Sequence, residues 1–269
     1  MVSWSNRPND GSNSSIAGLP QDRVGIAWLT GPRPGEMIRP QSRLSGSWNN
    51  QLQAKGTVRM TQLYDEIGGG YGNYRRPDPR IATAIIRALG EAKTVVNVGA
   101  GLGSYEPIDR SVAAVEPSRK MIRQRQAMSA PVVQASATHL PFRDAVFDAA
   151  LAILTVHHWP DRACGLEELA RVARHRVVVV TWDPVATGFW LVEDYFPEIG
   201  EIDRQIFPAI EEFRRALGRL EIHPLPVPHD CCDGFLGAYW RRPHAYLDAA
   251  VRRAGVDRER IYVYGRSLG

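Results

Sequence analysis

Cysteine is scarce in this 269-residue chain, occurring only as Cys164, Cys231 and Cys232. Two of the three are adjacent and no C-x-x-C or H-x(3)-H spacing accompanies them, so neither a disulfide framework nor a closed metal site is expected. No run of about 18 apolar residues exists, which argues against a membrane-spanning helix. The N-terminus also lacks the charged-then-apolar pattern of a secretory signal. These absences lead to the expectation of a reduced, cytoplasmic protein with no bound metal and no membrane partner. Apolar residues make up 44% of the chain and charged residues 23%, ordinary values for a globular protein.

The net charge of +4 is carried entirely by the first 60 residues, and the rest of the chain is formally neutral. A nucleic-acid-binding body normally shows a basic face, so no nucleic-acid partner is expected. Residues 1–59 are rich in Gly, Ser, Asn, Pro and Gln, and their apolar cluster Ile26-Ala27-Trp28-Leu29 is too short to build a core. This composition predicts a disordered or loosely attached segment. A transit peptide, or a translation start at Met60, are alternatives for the same stretch.

From residue 60 to 269 the pattern is that of one domain. Asp78-Pro79 followed by Ile81, Ala84, Ile85 and Leu89 has helical spacing, with Gly90 as its stop. Thr94–Val98, Val112–Val115, Val132–Gln134, Phe147–Leu154 and Val177–Trp182 read as buried strands, with helices over Met121–Met128 and Cys164–Ala173. That alternation predicts an α/β fold, a doubly wound and mostly parallel sheet covered on both faces. Residues 184–220 break the rhythm with aromatic helical pieces, placed where a cap over the ligand end of such a sheet would lie. Ile222–Val227 is a sixth strand confined to an edge or bulge by Pro224 and Pro226. Only Ile261–Tyr264 remains for a seventh, so either it is a short seventh strand or the C-terminal hairpin is incomplete.

Val95–Val98 runs into Gly99-Ala100-Gly101-Leu102-Gly103-Ser104, a strand followed by a glycine loop that lets a ligand approach the backbone. Glu116 closes the next apolar strand, where a carboxylate can accept hydrogen bonds from both ribose hydroxyls of a nucleoside. A dinucleotide fingerprint would need Gly or Ala where Ser104 stands, and acids at Glu106 and Asp109 suit a pyrophosphate poorly. The loop favours a cationic sulfonium nucleoside.

Val95–Gly103, Ala114–Ser118 and Leu140-Pro141-Phe142-Arg143-Asp144-Ala145-Val146-Phe147-Asp148 resemble successive motifs of the class I S-adenosylmethionine-dependent methyltransferases. The type 11 group, related to the menaquinone and ubiquinone C-methyltransferases, is the most similar. The resemblance covers about residues 60–185. It implies a Rossmann-like fold with S-adenosyl-L-methionine as cofactor. By position, Gly99, Ala100, Gly101 and Gly103 would line the cofactor, Glu116 would hold its ribose and Pro117 would flank its adenine. Ser136 and Ala137 stand where the family reads the adenine amine, and Ile153 faces the methionyl part. Tyr71 and Arg75 fall on a helix that closes over the cofactor, with Arg75 available to its carboxylate. Three departures are visible. Asn97 and Ser136 replace usual Asp residues, and the stretch from Gly103 to Glu116 leaves little room for the usual first helix.

His157 and His158 follow the fourth strand at the mouth of the sheet, and histidine is the natural general base near neutral pH. His158 is the preferred catalytic candidate and His157 the second; packing or helix capping is the alternative for either. His229, Asp230 and Asp233 beside the paired cysteines suggest substrate contact or capping. The expected function is methyl transfer from S-adenosylmethionine to a small organic acceptor. A catalytically silent remnant that binds the cofactor, or a nicotinamide-dependent oxidoreductase, are the alternatives. Oligomeric state is not legible.

Overall fold

The computed structural model describes residues 26–30, 75–249 and 251. Strand β1 (Ile26–Thr30) comes first. Helix α1 (Pro79–Leu89) begins at Asp78, whose side chain accepts the Arg80 N–H, and stops at Gly90 with φ of 54°. Proline in the first turn forfeits no hydrogen bond there, and Ile81, Ile85, Ala88 and Leu89 form its buried stripe.

Strands β2 (Thr94–Val98), β3 (Ser111–Val115), β4 (Val132–Val133), β5 (Phe147–Ile153) and β6 (Ala173–Trp182) pair in parallel. Helix α2 (Arg119–Arg123) lies between β3 and β4, and α3 (Arg162–Val172) between β5 and β6. Successive side chains of a strand point to opposite faces, and the core divides accordingly. Ala150 and Ala152 of β5 join Val96, Leu166, Leu169 and Val179 on one face; Ala149 and Leu151 join Ile81, Ile85, Val95 and Val178 on the other. Both faces are covered, as the doubly wound reading requires.

After β6 come a π-helical turn (Leu191–Tyr195), α4 (Pro197–Ile206), α5 (Ile210–Leu217) and β7 (Glu221–Leu225). Within the predicted cap, α5 lies in the helical layer beside α3, and its Phe213 and Leu217 are buried in that core. Helix α2 is shorter than the predicted Met121–Met128, because Arg125 turns inward to a buried partner described below.

The sheet order is β4-β3-β2-β5-β6-β1-β7. The antiparallel neighbour of β6 is β1: Trp28 stands opposite Val180 on one side and His223 of β7 on the other. The sequence reading left Ile26–Leu29 without a role because so short a segment cannot form a core. As a strand it needs none of its own, since the open edge of β6 presents unpaired N–H and C=O groups that β1 satisfies. Strand β7 carries Pro224 at the sheet edge, where proline is tolerated. Tyr71 and Ile261–Tyr264 lie outside the described residues.

Proline inside a strand paired on both flanks removes a ladder bond. Leu29→Pro is therefore expected to cost about 1–3 kcal/mol and to lower the thermal midpoint by roughly 2–12 °C. Circular dichroism melting checks this, and an unchanged midpoint would remove β1 from the sheet.

Candidate active site

The carboxyl ends of β2, β3 and β5 open onto one cavity of about 190 Å³. The turn leaving β2 folds back over the end of β3, with the Gly99 and Ala100 N–H groups donating to Val115 O at 2.9 and 3.0 Å. Gly99 (φ 72°) and Gly101 (φ 51°) lie in the left-handed region, which glycine enters without strain. A Cβ on Gly99 would sit 2.0 Å from Thr155 Oγ1. Only a residue without a side chain keeps that cradle open.

Glu116 holds the turn from the neighbouring strand. Its Oε2 accepts the Gly101 N–H at 2.8 Å and its Oε1 accepts the Ser118 N–H at 2.9 Å. The carboxylate is buried, 7% exposed, yet it lines the cavity. Burial raises its pKa above the usual 4.5, against the lowering effect of the two backbone donors and of Arg125. Each oxygen has a second lone pair for a ligand hydroxyl.

No helix follows the glycine loop; residues 99–110 are turns and bends. The pyrophosphate site of a dinucleotide enzyme needs a helix N-terminus at that point, so the structure withdraws the basis of the nicotinamide alternative. A buried ion pair supports the loop instead. Arg125 Nη2 lies 2.6 Å from Glu106 Oε1, and Arg125 Nη1 donates to Gly101 O at 3.0 Å. A Cβ on Gly103 would meet Glu106 Oε2 at 3.0 Å and Arg125 Nη2 at 3.3 Å. Gly103 therefore serves the underside of the loop and does not line the cavity, contrary to the cofactor contact expected of it.

A clasp closes the side of the cavity next to α1. Arg75 lines the cavity, and its Nε donates to Asp233 Oδ1 at 2.6 Å. Tyr105, a cavity residue at φ 62°, donates its hydroxyl to Asp233 Oδ2 at 2.9 Å and accepts the Asp78 N–H at 3.2 Å. Asp78 Oδ2 accepts the Cys232 N–H at 3.1 Å. The Arg80 guanidinium beside Asp78 holds that carboxyl well below the usual aspartate range. The stability it contributes is present near neutrality and is lost as the pH falls below that range. Burial pushes the Cys231 thiol up to about 12, leaving it protonated and inert.

The two histidines part ways. Both sit on the 3-10 turn Val156–His158, but His158 lines the cavity with Trp159 and Pro160, whereas His157 stacks on Phe207 with ring centroids 4.3 Å apart. His157 is not part of the lining. Trp159 seats the turn on α3, where a Cβ on Gly165 would lie 2.4 Å from its ring.

Of the sequence candidates, Gly99, Ala100, Gly101, Glu116, Pro117, Ser136, Ala137, Ile153, Arg75 and His158 share this cavity. Sequence reading missed Thr155 and Tyr105, and expected substrate contact or capping of Asp233, which instead binds Arg75 and Tyr105. Thr155 carries no motif of its own, and Asp233 reaches Tyr105 across 128 positions of chain.

A family model described as a methyltransferase domain matches residues 96–181. A solved structure described as a methyltransferase from an antibiotic biosynthesis pathway of Anabaena variabilis is 33% identical, with a TM-score of 0.59. The match covers 67% of this chain and 78% of that one. Among curated proteins, the tRNA (carboxymethyluridine(34)-5-O)-methyltransferases of Xenopus tropicalis and Schizosaccharomyces pombe are 26% and 24% identical. These matches cover 45% and 42% of this chain, but only 20% of the Xenopus protein and 50% of the yeast one. The expectations of a small organic acceptor and of no nucleic-acid partner are corrected by these relatives, whose names give a tRNA nucleoside as the acceptor. Net charge misled because a formally neutral total carries no information on how charges are distributed over a surface.

Gly165→Ala would drive a methyl group into the Trp159 ring. Overpacking of this kind is expected to cost about 1–3 kcal/mol, read as a lower denaturant midpoint at unchanged slope. An unaltered midpoint would show that the turn carrying His158 is not seated on α3 as described.

Proposed function

Because this chain belongs to the class I S-adenosylmethionine-dependent methyltransferases, with S-adenosylmethionine as its cofactor, we propose that it methylates a nucleoside of tRNA. The acceptor half of this reading is carried by the similarity to the tRNA carboxymethyluridine enzymes. The first 60 residues carry the chain's net charge of +4, and basic side chains are what phosphates attract.

The cavity suits the cofactor on two observations. One is the cradle at Gly99, which a Cβ would fill. The other is Asn97 Oδ1, a buried acceptor in the lining with no hydrogen bond among the described residues. When bound, S-adenosylmethionine supplies a methyl group already activated by its sulfonium charge. In this reading Glu116 accepts the ribose hydroxyls, Pro117 flanks the adenine beside Ser136 and Ala137, and Arg75 faces the methionyl carboxylate. Ile153 and the Gly99–Gly101 backbone line the path between the two ends.

His158 lines the cavity beside Trp159 and Pro160 and orients the acceptor. A carboxylate oxygen, as on a carboxymethyl group, carries its own lone pair and needs no base, so the histidine holds it in line. For a hydroxyl acceptor the same imidazole would take up the proton.

The deciding experiment pairs calorimetry of S-adenosylhomocysteine binding with transfer of labelled methyl groups from S-adenosylmethionine to total tRNA. Binding with label in a tRNA nucleoside is the expected result. Binding without label in tRNA would overturn the acceptor assignment, and His158→Ala should lower transfer by about 10²-fold through lost alignment while homocysteine-nucleoside affinity changes little. A second expectation concerns pH. Ribose hydroxyls donate to the ionised form of Glu116, whose pKa lies above 4.5. Affinity should therefore be full near neutrality and fall as the pH drops through that raised value. Glu116→Gln should bind more weakly and show no such fall; a Gln variant with the wild-type profile would release Glu116 from this role.

A further inference from the structure

Residues 117–143 contain Arg119, Lys120, Arg123, Arg125 and Arg143 and no acid. Residues 183–203 contain Asp183, Glu193, Asp194, Glu198, Glu201 and Asp203 and no lysine or arginine. The formally neutral part of the chain thus holds two segments of opposite charge, and the fold decides where each one stands.

The basic segment borders the cavity. Arg119 and Lys120 of α2 lie between Ser118 and Met121, both of which line it. Met121 is buried, whereas Arg119 and Arg123 are exposed. Arg119 Nε donates to Gln134 Oε1 at 3.0 Å, which ties its guanidinium to the chain leaving β4, two residues before Ser136 of the lining. Arg125 is spent on the buried pair with Glu106, and Arg143 precedes β5, at the far end of the sheet from the cavity. Neither Arg119 nor Arg123 forms an ion pair among the described residues. A guanidinium without a carboxylate keeps donors for a phosphate.

The acidic segment stands across the cavity. Strand β6 leads into it and is separated from β3 by β2 and β5. Phe207, at the end of α4, stacks on His157 of the turn that brings His158 to the lining. Glu193, Asp194, Glu198 and Glu201 are exposed on this side. One rim therefore attracts a phosphate backbone and the other repels it.

We propose that Arg119, Lys120 and Arg123 bind phosphates of the tRNA strand flanking the target nucleoside, so that the strand crosses the α2 rim and is kept off the acidic side. This rests on tRNA being the acceptor, the reading proposed above. Contacts of this kind fix the position of the strand without reading its sequence.

The test measures tRNA binding by the full chain across a salt series. Each phosphate contact adds about 0.7–0.9 to the slope of log affinity against log salt. Arg119→Gln/Arg123→Gln should therefore flatten the slope by roughly 1.5 and raise the KM for tRNA with kcat unchanged. Affinity for S-adenosylhomocysteine should equal that of the unmodified protein, the sign of an intact cavity. If the double variant loses that affinity, the two single variants decide, each flattening the slope by about 0.7–0.9. Arg119→Lys/Arg123→Lys should keep the slope, because a point charge suffices for a phosphate. Glu198→Gln/Glu201→Gln should not weaken tRNA binding. An unchanged slope in the glutamine variants, an equal loss in the lysine variant, or weaker binding in the acid variant would overturn the proposal while tRNA methylation stands. Absence of methyl transfer to tRNA by the unmodified protein would instead reject the acceptor, and this surface with it.

Discussion

The Glu116 carboxylate reaches from the end of β3 to the Gly101 N–H of the adjoining loop, and that bond shapes the hollow on which the site is built. A buried carboxylate is costly to desolvate, and its raised pKa records the cost. Two backbone donors offset it. Holding a charge where ligand hydroxyls can reach it is worth more to function than to stability, a balance common at binding sites.

The usual support for such a loop is a helix running away from it, and this chain has none there. Two buried ionic groups take over, from opposite sides. Glu106 and Arg125 carry the underside of the loop, while Asp233 fixes Arg75 and Tyr105 at its flank. Buried ion pairs rarely add much net stability. They do specify geometry, because each donor and acceptor has few alternatives, and here the same groups contact the loop backbone and the cavity lining.

Further along the sheet, the same logic of unsatisfied backbone applies to β6. Its free edge is covered by β1, a segment from the far N-terminal end of the described chain, and β7 then lies outermost. The backbone ladders on both flanks of β1 join β6 to β7, and Val178, Val180 and Leu225 of those neighbours are buried in one apolar cluster.

Local pattern carried most of the parallel sheet. Apolar runs bounded by Asp78-Pro79 and Gly90, the glycine string after Val98, and the acid ending β3 are all readable because each depends on residues within a few positions. The strand at Ile26–Thr30 was not readable, since four apolar residues and a threonine have no meaning without the edge they cover. The split between His158 and His157 was equally hidden, because it depends on Phe207 arriving from another element.

By itself, then, the amino-acid order determined the strand-and-helix rhythm, the loop that bends over β3 and the chemical class of ligand it suits. Tertiary structure alone decided which strand covers β6, which histidine reaches the cavity, and that Glu106, Arg125 and Asp233 brace the loop. Those outcomes rest on contacts between residues 19 to 158 positions apart, and only folding brings their donors and acceptors within hydrogen-bonding distance.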